Sequence, residues 1–234
     1  MKRHVLAGRY GPDDQLVIPV NPEEQLTNLQ LVAGERTLDH GVGAALTSLK
    51  ALEVHPTEMG IDLAVIAAHV HAADTRISRA DESQDSWTRE IRLVVPVHDP
   101  QRWSAATATL TKLLNFLTGD RWTLQFRPRP DRFVTIAAAN TASLLQPPFT
   151  ALSLFSGGLD SLIGAIDLLE AGEEPLFVSH WGESAVSDGQ NKLFSDLKKR
   201  YPKRPFDRVR VHMADRKSTR LNSSHTDISR MPSS

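Results

Sequence analysis

The pattern of hydrophobic and polar positions divides the chain into two parts. In the first part, apolar residues recur at helical spacing in two segments, and three short segments have the apolar content of strands. The predicted elements are helices at 59–73 and 103–117 and strands at 89–97, 122–126 and 133–137. Residues 1–40 are mixed and interrupted by proline, with a short apolar run at 16–20. We interpret residues 1–147 as an N-terminal α+β domain.

After Pro147-Pro148 the pattern becomes a regular alternation of apolar strands and helices. The predicted strands are 149–155, 175–179 and 207–212, and the predicted helices are 162–171 and 190–201. Buried strands that alternate with helices at this spacing are typical of parallel βαβ units. We therefore expect residues 148–214 to form an α/β domain whose strands run parallel.

A glycine-rich loop joins the first of these strands to the first helix, and it reads Ser156-Gly157-Gly158-Leu159-Asp160-Ser161. Two glycines let the backbone turn sharply and bring its N–H groups close to an anion. The helix that follows presents unpaired N–H groups and the positive end of its dipole, and the two serines add hydroxyl donors. These features predict a phosphate-binding loop. The alternative is a plain glycine turn before a capped helix.

Asp160 is the unusual member of this loop, because a bare carboxylate repels phosphate. It fits if it caps the start of the helix or orients a Mg²⁺ ion bound to the phosphates. Other nucleotide-binding loops fit less well. The sequence lacks the Gly-Lys-Ser/Thr ending of a Walker loop and the third glycine of the dinucleotide fingerprint.

The loop resembles the S-G-G-x-D-S loop of the ATP pyrophosphatases, the PP-loop or N-type family. This resemblance implies a Rossmann-like, adenine nucleotide alpha hydrolase-like sheet and cleavage of ATP between its α and β phosphates. The pyrophosphate would lie on the loop while a substrate carbonyl or carboxylate is adenylylated. The residues implied to bind ATP are Ser156, Gly157, Gly158, Leu159, Asp160 and Ser161. Among them Asp160 and Ser161 are implied to be catalytic, and Asp160 is implied to bind Mg²⁺.

Two further features narrow the resemblance. The pair Gly189-Gln190 opens the helix after the second strand, as in 7-cyano-7-deazaguanine synthases (QueC). The domain at 1–147 that precedes the loop resembles QueC-like proteins of bacterial anti-phage systems, of the QatC type found in the Qat system. The resemblance implies a small-molecule or protein substrate and other defence-system proteins as partners. The synthases have a cysteine-rich zinc site near their C-terminus, whereas this chain contains no cysteine. Zinc is therefore expected only in a part of the protein beyond Ala214.

His180 and Trp181 follow the second strand of the α/β part, and the carboxyl edge of a parallel sheet lines the ligand crevice. The resemblance places the adenine near this edge, and we assign His180 to the ATP site. For Trp181, stacking on adenine and covering a domain interface remain equal alternatives. His69 and His71 are two residues apart and cannot share a helix face, so we expect a solvated or partly buried structural role for both.

The remaining basic residues and the overall charge do not indicate a nucleic-acid partner. The formal net charge is -1, so there is no general basic field. Arg127, Arg129 and Arg132 form a local cluster, for which we expect a solvated loop between strands. No apolar run approaches the roughly 20 residues that span a bilayer, and residues 1–10 lack an apolar signal-peptide core. We therefore expect a cytoplasmic protein.

The leading functional hypothesis is an ATP-dependent ligase of the QueC-like class that acts through an adenylylated intermediate. A second hypothesis is a nucleotide-binding scaffold in a defence complex that keeps the loop without full catalysis. A third is another PP-loop enzyme, such as a tRNA-modifying ligase. An RNA substrate would favour a basic surface, and the composition does not show one.

Residues 215–234 have no hydrophobic period and no place in the βαβ pattern. They resemble a translated frame of a common sequencing adapter, so we interpret them as a disordered assembly artefact and exclude them from the fold. Sequencing an independent clone is expected to give a different reading frame after Ala214, with the cysteines and the rest of the sheet. Recovery of the same residues 215–234 from that clone would contradict this interpretation.

Overall fold

The structure, a computed structural model, describes residues 3–33, 37–83, 87–137, 149–181 and 184–212. The predicted domain boundary at Pro147-Pro148 and the predicted artefact at 215–234 lie outside these residues. Within them the strands form a four-stranded, a three-stranded and a two-stranded sheet. In the same residues, no helix is long and apolar enough to cross a membrane.

The four-stranded sheet is built from the first part of the chain. The elements there are β1 (Arg3–Arg9), β2 (Glu24–Gln30), β3 (Val32–Ala33), β4 (Thr37–Leu38), α1 (Val42–Ala51), α2 (Glu58–Arg76), α3 (Arg79–Glu82), β5 (Glu90–Val97), α4 (Pro100–Ala105), α5 (Thr107–Thr118) and β6 (Arg121–Pro128). The strand order is β2-β1-β5-β6, and every neighbouring pair is parallel. β3 and β4 form a short antiparallel pair.

The parallel direction of all four strands corrects the expectation of an α+β domain, because this is an α/β arrangement. Helices cross over between β1 and β5 and between β5 and β6, as parallel pairing requires. The pattern at 1–40 predicted no strand, yet β1 and β2 both lie there. β1 is buried at every position from His4 to Arg9. A strand that is buried on both faces lacks the alternation that reveals a half-exposed strand.

The connection from β1 to β2 contains no helix. The apolar run at 16–20 forms no regular element. Instead, Ile18 packs on one face of the sheet in a small core with Val5 and Val94. This run therefore covers part of the sheet surface where a crossover helix would otherwise lie.

Helices cover the opposite face of the sheet. The core there includes Leu6, Leu93, Val95 and Leu124 from the strands, Ile61 and Val65 from α2, Trp103 from α4 and Leu114 from α5. The helix predicted at 59–73 is confirmed as α2, while the one predicted at 103–117 is two helices, α4 and α5. α4 begins earlier than predicted, because the Asp99 side chain accepts from the Arg102 N–H at 3.0 Å and Pro100 occupies the first helical position.

The strand predicted at 133–137 is absent from the structure. Asp131–Phe133 form a 3₁₀ helix, and residues 134–137 form no strand. The N–H groups of Ile136 and Ala137 donate to the Glu58 carboxylate, both at 2.7 Å. A side chain from α2 thus takes the donors that a β ladder would have used.

The expectation of a solvated loop is wrong for Arg127 and Arg129. The Arg129 side chain is fully buried and forms ion pairs with Asp62, also fully buried, and with Glu58 at 2.6 Å. Arg127 donates to the Asp14 carboxylate at 2.5 Å. Because a buried charge is very costly unless it is paired, these contacts fix the end of β6 against α2 and against the segment after β1.

The three-stranded sheet is built from the second part of the chain. Its elements are β7 (Ala151–Leu154), α6 (Leu159–Glu170), β8 (Pro175–His180), α7 (Ser184–Arg200) and β9 (Asp207–Val211). The strand order is β7-β8-β9, and both pairs are parallel, with Leu152 opposite Leu176 and Val178 opposite Val209. The predicted parallel βαβ pattern is therefore confirmed over the described residues.

The two faces of this sheet differ. One face is covered by α6 and α7, in a core that includes Phe155, Ala165, Leu169, Phe177, Leu197 and Phe206. On the other face, Leu152 and Leu154 are 72% and 77% exposed. The carboxyl ends of the three strands lie at one edge, and the glycine-rich loop follows the first of them.

His69 was predicted to be solvated or partly buried, but it is fully buried beneath β1, where α2 packs against the sheet. Its Nδ1 bonds the Val65 carbonyl at 2.8 Å, and its Nε2 has no hydrogen-bond partner among the described residues. A side chain at Gly8 would place its Cβ 2.5 Å from this Nε2, so glycine leaves room for the imidazole. The pKa of His69 is lowered to about 4, mainly by burial; the hydrogen bond to the Val65 carbonyl raises it, and the nearby charges of His40 and Arg127 contribute to the lowering.

The depressed pKa of His69 predicts a pH dependence of stability. The unfolded chain binds a proton at this side chain near pH 6.5, whereas the folded protein does so only near pH 4. The contribution of neutral His69 to the free energy of unfolding is therefore fully present above pH 6.5. It is lost as the pH falls toward 4, by up to about 3 kcal/mol. Urea unfolding at several pH values should show a smaller loss in His69→Met than in wild type. His55→Gln, at a partly exposed position, is the control and should behave like wild type. If the free energy of unfolding depends on pH equally in wild type and His69→Met, the prediction is contradicted.

Candidate functional site

The loop that the sequence singled out lies at the carboxyl edge of the three-stranded sheet. Phe155 still donates its N–H to the Val178 carbonyl of β8 at 2.8 Å, and the chain then leaves the sheet. α6 begins at Leu159, three residues before the predicted start at Leu162. The last three residues of the motif are therefore the first turn of the helix, and only Ser156-Gly157-Gly158 form the turn itself.

The two glycines of the loop have different conformations. Gly157 has φ +81°, a left-handed conformation that favours glycine. Gly158 has φ −84° and ψ 171°, an extended conformation open to any residue. A Cβ at Gly157 would lie 2.7 Å from Cγ of Gln190, whereas a Cβ at Gly158 would meet only Ser156 Oγ at 3.6 Å. The fold itself thus requires the first glycine but not the second.

The two serine hydroxyls close the loop on itself. Ser161 Oγ accepts from the Gly157 N–H at 3.1 Å and donates to the Gly158 carbonyl at 2.9 Å. Ser156 Oγ donates to Ser161 Oγ at 3.2 Å and accepts from the Gly158 N–H at 3.4 Å. These bonds set the shape of the turn before any ligand is considered.

The backbone of the first helical turn offers unpaired donors next to this turn. The N–H groups of Leu159, Asp160 and Ser161 precede the first intrahelical hydrogen bond, which runs from the Leu162 N–H to the Gly158 carbonyl at 3.0 Å. None of the three donates to another described residue. Three unpaired N–H groups at the positive end of a helix form a site suited to an anion.

Asp160 does not cap the helix. The N-cap residue is Gly158, which has no side-chain cap, and the Asp160 carboxylate makes no hydrogen bond or ion pair within the described residues. Its side chain is exposed in the first turn, where a negative charge is favourable toward the helix dipole. The capping alternative from the sequence is therefore wrong, and the carboxylate is open to solvent beside the loop.

Gln190 of α7 is the residue that sequence reasoning missed. Its Nε2 donates to the Ser156 carbonyl at 3.0 Å and to the His180 carbonyl at 3.2 Å, so it connects the ends of β7 and β8. Ser179 adds a second connection, because its Oγ donates to the Phe155 carbonyl at 2.6 Å. In the sequence, Gln190 follows Gly189 at the predicted start of a helix, a pair that carried the family resemblance but no role. The helix begins earlier, at Ser184, so the predicted start at Gln190 is wrong and Gln190 lies within α7.

A cleft of about 530 Å³ opens beside the loop, a size suited to small molecules. Its lining is mostly apolar and consists of Leu154, Phe155, Ser156, Val178, His180, Val186 and Gln190. The structure thus brings His180 and Ser156 to the same cleft. An apolar cleft next to a set of unpaired N–H groups can bind a molecule with a flat apolar part and an anionic part.

Trp181 directly follows the last residue of β8, His180, and lies beside the end of the neighbouring strand β9. Its backbone N–H donates to the Val211 carbonyl at 2.8 Å, and the residue is 45% exposed. The Arg210 guanidinium lies 4.7 Å from the ring centroid, and the His212 ring lies 5.2 Å from it. Arg210 also donates to Ser187 Oγ at 2.6 Å, which joins β9 to the first turns of α7.

Comparisons with protein-family models, with curated proteins and with solved structures each found no match. Within the described ranges, no group of three or more His, Asp or Glu side chains is arranged to hold a metal ion. The assignment of a function therefore depends on the geometry of the loop and the cleft.

Backbone strain and side-chain packing at Gly157 can be separated by comparing it with Gly172, a glycine just after α6. Gly157 and Gly172 have nearly the same φ, +81° and +86°, but a Cβ at Gly172 would approach only the end of the Arg204 side chain at 3.5 Å. Gly172→Ala should therefore lower the free energy of unfolding by about 1 kcal/mol, through backbone strain alone. Gly157→Ala should lower it by a further ~1–3 kcal/mol, because Gln190 must move. Urea unfolding measures both values, and equal losses would show that Gln190 does not crowd the loop.

Proposed function

We propose that this chain binds ATP through Ser156–Ser161 and is the nucleotide-binding part of a PP-loop enzyme. Within that class we propose a QueC-like ligase of the QatC type, which activates its substrate by adenylylation and releases pyrophosphate. The observation that carries the proposal is the set of three unpaired N–H groups at 159–161, next to an exposed glycine whose side-chain position is open. The resemblance of the loop to the S-G-G-x-D-S motif adds to it.

The proposed chemistry follows from where negative charge would grow. When the bond between the α and β phosphates breaks, charge develops on the leaving pyrophosphate. The N–H groups of Leu159, Asp160 and Ser161 would donate to its oxygens, and the helix dipole would stabilise the same charge. Interactions that strengthen as this charge develops lower the barrier, whereas equal binding of ATP and transition state would not. Gly158 leaves the backbone open to close approach by a phosphate oxygen.

Mg²⁺ belongs to the same proposal, and the residues present fit it. Mg²⁺ in phosphate-transfer sites is commonly held by one or two carboxylates together with substrate phosphates. Asp160 supplies one exposed carboxylate beside the loop, with no ion-pair partner among the described residues. When bound, the ion would neutralise part of the phosphate charge. Asp160 would hold and orient it at the start of α6.

The cleft at 154–190 is the proposed place for the adenine, with His180 at its rim. Its apolar lining suits a flat heterocycle better than a charged group. A small-molecule or protein acceptor substrate, partners from a bacterial defence system and a cytoplasmic location are further parts of the proposal. They depend on the family resemblance and not on the geometry.

The proposal predicts that Asp160→Ala and Gly158→Val abolish function while the fold remains intact. Valine fits the extended backbone at 158, where its Cβ would meet only Ser156 Oγ at 3.6 Å, but its side chain would occupy the space where a phosphate meets the N–H groups. In the full-length protein we expect a loss on the order of 100-fold or more in AMP and pyrophosphate release from ATP. Calorimetric titration with Mg²⁺ and pyrophosphate should show a parallel loss of affinity, with an unchanged melting temperature.

Two variants on the same helix serve as controls. Asp167→Ala removes another exposed carboxylate of α6, and Gly164→Ala adds a methyl group where nothing lies within 4 Å. Both should bind and turn over like wild type. Wild-type behaviour of Asp160→Ala and Gly158→Val would reduce the loop to a simple turn. Binding of pyrophosphate without any turnover would instead favour the scaffold hypothesis.

A further inference from the structure

Gln190 has a position that is not explained by packing alone. The side chain is 3% exposed, and its amide lies between two backbone carbonyl oxygens, those of Ser156 and His180. A carbonyl oxygen can only accept, so the group that faces both of them must be the amide nitrogen. The geometry therefore fixes the orientation of the amide, and its Oε1 is left without a hydrogen-bond partner among the described residues.

The unpartnered oxygen distinguishes Gln190 from an ordinary core residue. A buried acceptor without a partner destabilises the fold, and an apolar side chain of the same length would avoid this cost. The two bonds from Nε2 are what an apolar residue could not provide. Their acceptors are the backbone at the end of β7 and the backbone at the end of β8, on either side of the cleft.

The peptide between Ser156 and Gly157 is held from both sides. Its carbonyl accepts from Gln190, and its N–H donates to Ser161 Oγ at 3.1 Å. Because a trans peptide is planar, with its C=O and N–H pointing in opposite directions, these two bonds together set the plane of the peptide. That plane determines how the chain enters the turn and therefore where the N–H groups of the helix start point.

The first turns of α7 are themselves fixed to β9. Arg208 donates to the Gln190 carbonyl at 3.0 Å and to Asn191 Oδ1 at 2.7 Å. Arg210 donates to Ser187 Oγ at 2.6 Å. The backbone of Gln190 is thus bonded to β9, while its side chain bonds the chain at the ends of β7 and β8.

We infer that Gln190 is a positioning residue, which sets the orientation of the phosphate loop by bonding the Ser156 and His180 carbonyls. The importance of this orientation for pyrophosphate rests on the proposed function. The bonds themselves and their effect on the loop backbone do not. Gln190 touches no phosphate in this arrangement and acts through the loop.

The test uses Gln190→Met, which preserves length and volume but cannot donate, and Gln190→Glu, which turns a carboxylate toward two carbonyl oxygens. The control is Gln101→Met, at an exposed position in α4. Two quantities are measured in each protein: the affinity for Mg²⁺ with pyrophosphate, and the hydrogen-exchange rate of backbone amides at 156–161. Loss of the two hydrogen bonds should weaken pyrophosphate binding about tenfold or more and speed exchange at Gly157 by a similar factor. The melting temperature of Gln190→Met should remain close to that of wild type.

The two measurements separate this inference from the proposed function. If wild type binds no pyrophosphate, the proposed function fails, and faster exchange in the Gln190 variants still supports the positioning role. If both variants bind like wild type and exchange at Gly157 is unchanged, the positioning role is overturned. If neither variant folds, the positioning role is tested by nuclear magnetic resonance of the wild type, which measures the side-chain amide protons of Gln190. The side-chain amide protons of Gln190 should exchange slowly with solvent and show contacts to the chain at Ser156 and His180, and rapidly exchanging amide protons would overturn the inference.

Discussion

Each strand of the two larger sheets runs in the same direction as its neighbours, and most of the architecture follows from this constraint. A parallel neighbour can be reached only by a crossover, and every crossover here except the one from β1 to β2 contains a helix that packs on a face of its sheet. The carboxyl ends of all strands also meet at one edge. In the three-stranded sheet this edge brings together Ser156 after β7, His180 at the end of β8 and His212 after β9. Residues far apart in the chain thus become one candidate site.

The two sheets use their carboxyl edges differently. In the four-stranded sheet, Arg129 and Asp62 are both fully buried, and each is paired and hydrogen-bonded. In a low-dielectric interior such charges are stable only when they are paired. The polar groups at this edge therefore stabilise the fold and are not available to a ligand. In the three-stranded sheet, the start of α6 keeps unpaired N–H groups and the exposed carboxylate of Asp160. Unsatisfied groups that face solvent are available to a ligand, which is why the candidate site lies there.

The sequence predicted the second part of the chain better than the first. Its strands are short apolar runs between helices of ordinary length, and local patterns describe such units well. The start of α6 at Leu159 was missed because the motif was treated as a loop up to Ser161. In the first part, β1 was not predicted because it is buried on both faces and shows no alternation. The strand expected at 133–137 does not form, because the Glu58 carboxylate accepts the N–H groups of Ile136 and Ala137. The two errors in the first part share a cause, since each outcome depends on a partner distant in sequence.

The order of strand, Ser156–Ser161 and helix was determined by the sequence itself, because turn chemistry and helix starts depend on neighbouring residues. The different roles of Gly157 and Gly158 were decided only by the tertiary structure, since one faces Gln190 and the other faces open space. Gln190 lies 34 residues from Ser156, and Arg129 lies 67 residues from Asp62. No periodicity or local motif records such a contact. Such a contact forms because most polar groups that folding buries need a hydrogen-bond partner, and here the partner comes from a distant part of the chain.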